Sequence, residues 1–210
     1  MNKRILWGIG TARTFRAHWA LIELKLEYET QGVETRSAAT AGAEYRRLNN
    51  TGKIPTLVDG EVIVNESTAI INFLATKYDT SMNTLMPKSL RSLAAYHQWM
   101  SFIGTELDAT ALYVLRRHEG LPEIYGTAQD ACITARKYFN RMIESAADKI
   151  EDGRTYLLGE RFSGADIMMM SILDWAEQYK CKYPDVFKTY QGRLSKRPNY
   201  LKAIKANTAP

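Results

Sequence analysis

The chain has 210 residues, of which 45% are hydrophobic and 24% are charged, a composition typical of folded domains rather than disordered segments. Its net charge is +5, but the basic residues are scattered along the sequence, which favours small anionic ligands over nucleic acid. No apolar run approaches about 18 residues, so no membrane partner is predicted, and the absence of a targeting segment predicts a cytoplasmic location.

Cysteine usage is sparse. Cys132 and Cys181 do not belong to a Cys-x-x-Cys motif, so neither a metal site nor a dithiol redox site is predicted. We expect both to be small buried residues at helical positions in a reducing compartment.

The first part of the chain alternates between apolar strands and amphipathic helices. The spacing of apolar residues predicts a strand over 4–8, a helix over 15–26, a second strand over 27–33 and a short helix over 43–48. The run Asn-Asn-Thr-Gly at 49–52 ends this helix.

Three local signals follow one another over 53–78. Pro55 precedes an apolar run and so opens a strand, and an X-Pro bond at such a point is a common setting for a cis peptide. Asp59-Gly60 between two apolar runs is the dipeptide of a tight hairpin. Glu66 and Ser67 precede a helically spaced apolar run, and the free amide groups of such a helix start form an anion site.

The element order β-α-β-α-β-β-α matches a thioredoxin-like domain, which we place at 1–78. A polar, proline-ended linker is predicted over 79–87. Beyond it the apolar spacing is helical throughout, so an all-helical domain is predicted over 88–210. The expected fold class is therefore α/β followed by all-α.

The helical part contains three long amphipathic helices. The first carries an apolar stripe at Leu93, Met100, Ile103, Leu107, Ala111 and Val114. The second follows Pro122 and carries its stripe at Ala128, Ala131, Ala135, Tyr138, Met142 and Ala146. The third begins at Ser163, which can form a capping box with Asp166. Shorter helices are predicted over 185–195 and 198–206.

The strand-opening proline, the hairpin and the Glu66-Ser67 helix start resemble the glutathione site of the cytosolic glutathione S-transferase superfamily. The segment 156–166 is similar to the family's helix-cap segment, and 99–107 looks most like bacterial members. The likeness covers nearly the whole chain. Where beta-class relatives carry an asparagine and a histidine, Ser101 and Asp108 stand here, so the class is left open.

This resemblance implies that glutathione is the co-substrate and that no metal is needed. In the family, the cis-proline loop pairs its backbone with the cysteinyl unit, which points to Ile54 and Pro55 here. The acid-serine pair holds the γ-glutamyl end, which points to Glu66 and Ser67. Lys53 is a candidate for binding the glycyl carboxylate, although it can equally be a solvated loop cation.

The glutathione thiol must be activated as a thiolate, because the thiol itself is a poor nucleophile. Residues 1–27 contain no Ser, Cys or Tyr, and the missing cysteine argues against reduction through a mixed disulfide. By the family's zeta-like pattern, counted back from Arg16, Thr11 takes the place of the activating hydroxyl. Thr14 is the alternative, and Arg13 can supply positive charge. Either threonine can instead simply cap the first helix.

The resemblance further implies an apolar pocket for an electrophile between the two domains, with Phe102, Tyr113 and Arg117 as candidate lining residues. The expected function is that of a cytoplasmic, homodimeric glutathione transferase, which joins alkyl or aryl groups to glutathione in detoxification. The alternatives are a glutathione-dependent isomerase or dehalogenase, and a non-catalytic binding or assembly protein with the same fold.

Overall fold

A computed structural model describes residues 3–80 and 84–208 of the chain. The described residues form two compact units, one of residues up to 87 together with those from 195 onward, the other of 88–194. The sequence had assigned everything after 88 to the second domain, whereas the contacts of the chain from 195 onward lie with the first unit. Part of the predicted linker, residues 81–83, lies outside the described residues.

The first unit begins with a small mixed sheet and its helices. Its elements up to residue 77 are β1 (Arg4–Trp7), α1 (Ala12–Glu23), β2 (Glu29–Gln31), α2 (Ala38–Ala41), α3 (Ala43–Leu48), β3 (Thr56–Asp59), β4 (Val62–Asn65) and α4 (Ser67–Lys77). The strand order is β2-β1-β3-β4, with β2 parallel to β1 and the other pairs antiparallel. The thioredoxin-like fold class is thereby confirmed, and α2 is an additional short helix.

The core of this unit is built by the sheet and the two long helices that pack on each other, α1 and α4. Leu6 of β1 and Leu57 of β3 are completely buried, as are Trp19 of α1 and Ile70 and Leu74 of α4. Burial of this apolar surface fixes α1 and α4 against the sheet, and with them the loops that precede each helix.

The hairpin forms one residue later than the sequence predicted. Asp59 pairs with Val62 across the two strands, so the turn consists of Gly60, at φ 66°, and Glu61. The Asp59 side chain is instead buried within β3, where its carboxylate accepts hydrogen bonds from Lys77 at 2.8 Å and Tyr78 at 2.5 Å. Lys77 and Tyr78 supply the hydrogen bonds that the buried Asp59 carboxylate needs, whereas the same carboxylate in a turn would stay in water. These hydrogen bonds explain why the turn forms one residue later.

The second unit is helical in its described residues. Its elements are α5 (Leu90–Phe102), a π-helix (Ile103–Leu112), α6 (Tyr113–His118), α7 (Pro122–Tyr125), α8 (Gln129–Ala147), α9 (Gly164–Gln178) and α10 (Asp185–Leu194). The first predicted long helix is thus interrupted by a π-helix, whose wider turn keeps Ile103, Leu107 and Ala111 at four-residue spacing on the buried face.

The stripe predicted for α8 is confirmed in part. Ala135 and Ala146 are buried as predicted, whereas Ala131 is exposed and the buried face is completed by Cys132, Phe139 and Ile143. The buried face therefore includes larger apolar side chains, which remove more surface from water than alanine does. Cys132 and Cys181 are both free and buried, as predicted, but Cys181 lies in the loop after α9 rather than in a helix.

The last described helix, α11 (Pro198–Thr208), packs along α1 of the first unit. Near the carboxyl end of α1, the Arg197 guanidinium donates to the Glu23 carboxylate at 3.0 Å. Further along, the Tyr200 ring meets Phe15 and Trp19 edge-on, with ring centroids 5.5 and 5.2 Å apart. An ion pair and an aromatic cluster therefore dock α11 on the helix that starts at the predicted site. None of the helices within 3–80 and 84–208 is long and apolar enough to cross a membrane.

The predicted capping box of α9 is confirmed, and it is more extensive than the sequence indicated. The Asp166 carboxylate is completely buried and accepts from the N–H and hydroxyl groups of Ser163, both at 2.8 Å. It also accepts from the Leu157 N–H at 2.9 Å and the Tyr190 hydroxyl at 2.7 Å. One side chain thereby joins the start of α9 to the preceding loop and to α10.

We predict that Asp166→Ala lowers the free energy of unfolding by about 3 to 5 kcal/mol, because four buried donors lose their acceptor together. Urea unfolding followed by tryptophan fluorescence measures the loss. Asp152→Ala, at an acid more than half exposed, is the control and keeps the wild-type midpoint. Equal midpoints for the two variants would show that the buried network does not stabilise the fold.

Candidate functional site

Two of the predicted site residues, Ile54 of the proline loop and Thr14 of α1, meet around Gly8, directly after β1. Gly8 has φ 121°, and a Cβ atom there would lie 2.7 Å from Ile54 Cβ and 2.8 Å from Thr14 Cγ2. Such distances leave no room for a side chain, so only glycine permits this approach. The start of α1 and the proline loop are consequently held against the same peptide.

Thr11 is the N-cap of α1 and forms a capping box with Thr14. Its hydroxyl oxygen accepts from the Thr14 N–H at 3.0 Å, and the Thr14 hydroxyl oxygen accepts from the Thr11 N–H at 3.0 Å. The helix-cap role considered for Thr11 is therefore real. The cap uses the Thr11 hydroxyl oxygen only as an acceptor. The Thr11 hydroxyl proton is therefore still able to donate to a ligand.

The two threonines differ in exposure. Thr14 is completely buried, and its hydroxyl lies 2.6 Å from the Asn207 side-chain oxygen, whereas Thr11 and Arg13 are partly exposed. Thr14 is therefore closed off from a ligand, whereas Thr11 keeps part of its surface open to one. Asn207 was missed by the sequence reasoning, since nothing near it in the sequence signals a contact with residues almost 200 positions earlier.

The proline loop is fixed by side chains from the preceding helix and its end. The Ile54–Pro55 peptide is cis, as expected, and both residues are buried. The carbonyl of exposed Lys53 accepts from the Tyr45 hydroxyl at 2.5 Å and from the Asn49 amide at 2.9 Å. In the sequence, Asn49 belongs to the run at 49–52 that ends a helix. Its second role, holding the Lys53 carbonyl, is visible only in the structure.

Glu66 and Ser67 begin α4 in an unusual backbone conformation. Glu66 has φ 69°, is exposed and makes no side-chain capping bond, which argues against a simple capping role. Ser67 is buried, and its hydroxyl accepts from the guanidinium of buried Arg16 at 3.4 Å. Arg16 thereby brings a cation from α1 to the start of α4, a position that the sequence did not predict.

The three residues predicted to line the electrophile pocket lie in the second unit. Tyr113 and Arg117 are one turn apart on α6, with the guanidinium 4.8 Å from the ring centroid. Phe102 ends α5 and contacts Trp99 and Lys149 instead. Their role in binding a substrate remains a prediction.

A cavity of about 700 Å³ lies at the other end of β1 from Gly8. Charged side chains line it, among them Lys3, Arg4, Glu29 and Lys77. Its place at the start of the strand separates it from the segments that meet at Gly8. Among the described residues, no group of three or more His, Cys, Asp or Glu side chains is placed to hold a metal ion.

Two family models match the chain. The glutathione S-transferase N-terminal domain matches residues 3–76, and the glutathione S-transferase C-terminal domain matches residues 127–199.

Curated relatives include glutathione S-transferases 1 and 3 of Schizosaccharomyces pombe, each 30% identical. Their alignments cover 72% and 79% of this chain and 66% and 71% of the relatives. Elongation factor 1-gamma 3 of Oryza sativa is 28% identical over 94% of this chain, but the match spans only 47% of that protein.

Solved structures support the fold. A theta-class glutathione S-transferase of Xanthomonas axonopodis with glutathione bound has a TM-score of 0.79 at 24% identity, covering 97% of this chain and 98% of that one. A glutathione transferase of Phanerochaete chrysosporium with oxidized glutathione has a TM-score of 0.85 at 21% identity, covering 99% and 96%. At these identities the similarity shows the fold alone.

His18 lies behind the site and is completely buried on α1. Its Nδ1 is 2.8 Å from the Tyr28 hydroxyl and its Nε2 is 3.2 Å from the Gly8 carbonyl oxygen. A carbonyl oxygen can only accept, so Nε2 carries the proton and Nδ1 accepts from Tyr28. Burial lowers the pKa of His18 to about 4, against a smaller raising effect of the Gly8 hydrogen bond.

We predict that His18 makes the fold less stable in acid. The unfolded chain binds a proton at His18 below about pH 6.5 and the folded protein only near pH 4, so stability is retained above pH 6.5 and lost as the pH falls towards 4. The loss is on the order of 3 kcal/mol. Unfolding free energies in urea across this range should fall less steeply for His18→Gln than for wild type, while His97→Gln, at an exposed histidine, keeps the wild-type slope. An unchanged slope in His18→Gln would contradict the prediction.

Proposed function

Because the chain belongs to the glutathione S-transferase family, we propose that it transfers glutathione to electrophilic small molecules. The observation that carries the proposal is that Thr11, a partly exposed hydroxyl residue, lies at the amino end of α1, the helix whose Thr14 meets Ile54 of the proline loop around Gly8. A hydroxyl that donates to sulfur favours the thiolate and lowers the pKa of the thiol.

Two further features favour an anionic sulfur at this point. The amino end of a helix carries a partial positive charge, and α1 begins directly after Thr11. Arg13 lies in the first turn of α1, and its guanidinium adds a full positive charge to the same end. Together with the hydroxyl they supply electrostatic stabilisation of the reacting group.

The residues present fit the tripeptide. In the described chain neither backbone group of Ile54 makes a hydrogen bond, so both can pair with an extended peptide. Exposed Glu66 suits an amino group, and Ser67 at the positively polarised amino end of α4 suits a carboxylate. Arg16 reinforces that carboxylate site with a buried positive charge, and Lys53 is proposed for the glycyl carboxylate.

The remaining elements of the proposal follow from the family. We place the electrophile near Phe102, Tyr113 and Arg117, and we expect a homodimer in the cytoplasm. The second candidate is a non-catalytic binding or assembly protein with the same fold, which the similarity to elongation factor 1-gamma 3 of Oryza sativa favours. An isomerase or dehalogenase would use the same thiolate on a narrower range of substrates.

Turnover tests the function directly. Conjugation of glutathione to a chlorodinitrobenzene is measured by absorbance, beside calorimetric binding of glutathione alone. Binding with turnover supports the transferase. Binding without turnover favours the alternatives, and absence of both would remove glutathione from the proposal.

For the activating residue, Thr11→Val should lower kcat about 10- to 100-fold, since a hydrogen bond to a charged group is worth about 1.5 to 3 kcal/mol. Thr11→Ser keeps the hydroxyl and should retain most activity. Because valine also removes a helix cap worth about 1 kcal/mol, the melting temperature is measured alongside. Equal kcat values for Thr11→Val and wild type would exclude Thr11 as the thiolate donor.

For glutathione binding, Glu66→Gln should weaken affinity about tenfold, because the variant removes one charge-assisted hydrogen bond at a partly solvated site. The thiolate donor is untouched, so kcat at saturating glutathione should change little. Calorimetry and steady-state kinetics separate the two effects. The matched control is Glu61→Gln, at an exposed residue in the turn between β3 and β4, which should bind like wild type. Equal affinities for the two variants would remove Glu66 from the site.

A further inference from the structure

Asn207, in the last turn of α11, makes three hydrogen bonds to the segment that starts α1. Its backbone carbonyl accepts from the Gly10 N–H at 2.8 Å. Its Oδ1 accepts from the Thr14 hydroxyl at 2.6 Å, and its Nδ2 donates to the Thr11 carbonyl at 3.3 Å. A residue far along the chain thus contacts each side of the proposed thiolate donor.

Packing restrains this segment only weakly. Gly10 is exposed, has φ 76°, and nothing lies within 4 Å of the place where its Cβ would be. Thr11 is itself partly exposed. Backbone with few packed neighbours opens at low free energy, so hydrogen bonds from outside the loop carry much of its restraint.

The contacts also fix the direction of the hydroxyl protons. The single hydroxyl proton of Thr14 has three acceptors within reach: the Thr11 carbonyl at 2.9 Å, the Thr11 hydroxyl oxygen at 3.0 Å and Asn207 Oδ1 at 2.6 Å. The Thr11 carbonyl already accepts from Phe15 N–H and from Asn207 Nδ2, and the Thr11 hydroxyl oxygen accepts from Thr14 N–H, so we assign the proton to Asn207, the nearest acceptor. The Thr11 hydroxyl proton is then able to turn from the Thr14 oxygen, 3.0 Å away, to a more basic acceptor such as a thiolate.

We propose that Asn207 is a positioning residue of the glutathione site, which holds the Thr11 hydroxyl and the amino end of α1 towards the ligand sulfur. The inference rests on the proposed function for its chemistry. Its mechanical part, restraint of the Gly10–Thr11 backbone by α11, can be measured without turnover.

Asn207→Leu removes both side-chain hydrogen bonds at similar volume. It should lower kcat about tenfold, leave KM for glutathione within about twofold, and raise the pKa of the bound glutathione thiol by about one unit, as expected when a hydrogen bond to the charged form is misplaced. The thiol pKa is read from the ultraviolet absorbance of the thiolate across pH in the binary complex. Asn207→Asp keeps the acceptor for Thr14 but adds a negative charge, so its thiol pKa should rise at least as far.

The control is Thr208→Val, one residue further along α11. The Thr208 hydroxyl donates within its own helix, to the carbonyls of Ile204 or Lys205, each at 3.1 Å. This variant tests for a general loosening of α11 and should keep the wild-type kcat and thiol pKa. A lower melting temperature of Asn207→Leu with an unchanged thiol pKa would overturn the proposal, because Asn207 would then only fasten the helix.

Hydrogen exchange separates failure of this inference from failure of the proposed function. If the wild-type protein binds glutathione but does not turn over, the transferase proposal fails. Hydrogen exchange at the Gly10 and Thr11 amides still shows whether Asn207 restrains this backbone. Faster exchange of these amides in Asn207→Leu than in wild type and Thr208→Val supports the positioning role. Equal exchange in all three proteins overturns it.

Discussion

The close approach of three chain segments at Gly8 is the constraint on which the site depends. Ile54 and Thr14 both lie within 3 Å of the place where a Cβ would stand, so the end of β1, the proline loop and the start of α1 form one contact. Any side chain at position 8 would push these three segments apart, and the φ angle of 121° would strain any residue type other than glycine. The glutathione site proposed here exists because this peptide has no side chain.

Helix α1 transmits that constraint to the rest of the first unit. Its amino end carries the capping box, its buried face meets α4, and α11 docks along it through Glu23, the aromatic cluster and Asn207. The contacts at the two ends of α11 have different consequences. The ion pair with Glu23 lies at the opposite end of α1 from Thr11 and stabilises the docking, whereas the bonds from Asn207 reach the residues proposed to meet the sulfur.

Local signals in the sequence predicted most of the fold, and burial decided what they left open. The proline loop and the capping box at Ser163 depend on residues within a few positions of one another, and both appear in the structure. Asp59 looked like a turn residue because its partners are too distant for a dipeptide rule. In the sequence, Thr11 and Thr14 both carry a hydroxyl group near the same helix start. Only the complete burial of Thr14 in the structure distinguishes the two candidates. Asn207 was missed because only the folded chain brings it to that helix start.

The charges around the proposed site are mostly positive, with the exposed Glu66 carboxylate as the exception. Positive charge is concentrated at Arg13, Arg16 and the amino ends of α1 and α4, where a ligand with two carboxylates and a thiolate would lie. His18, which supports the Gly8 carbonyl from behind, is held neutral by burial, with its pKa lowered to about 4. Near neutral pH the positive field is therefore supplied by guanidinium groups and helix ends that do not titrate. The pH dependence of turnover in that range should then report the ionisation of the glutathione thiol itself. The pKa of this thiol therefore measures how well the Thr11 hydroxyl is positioned towards the sulfur.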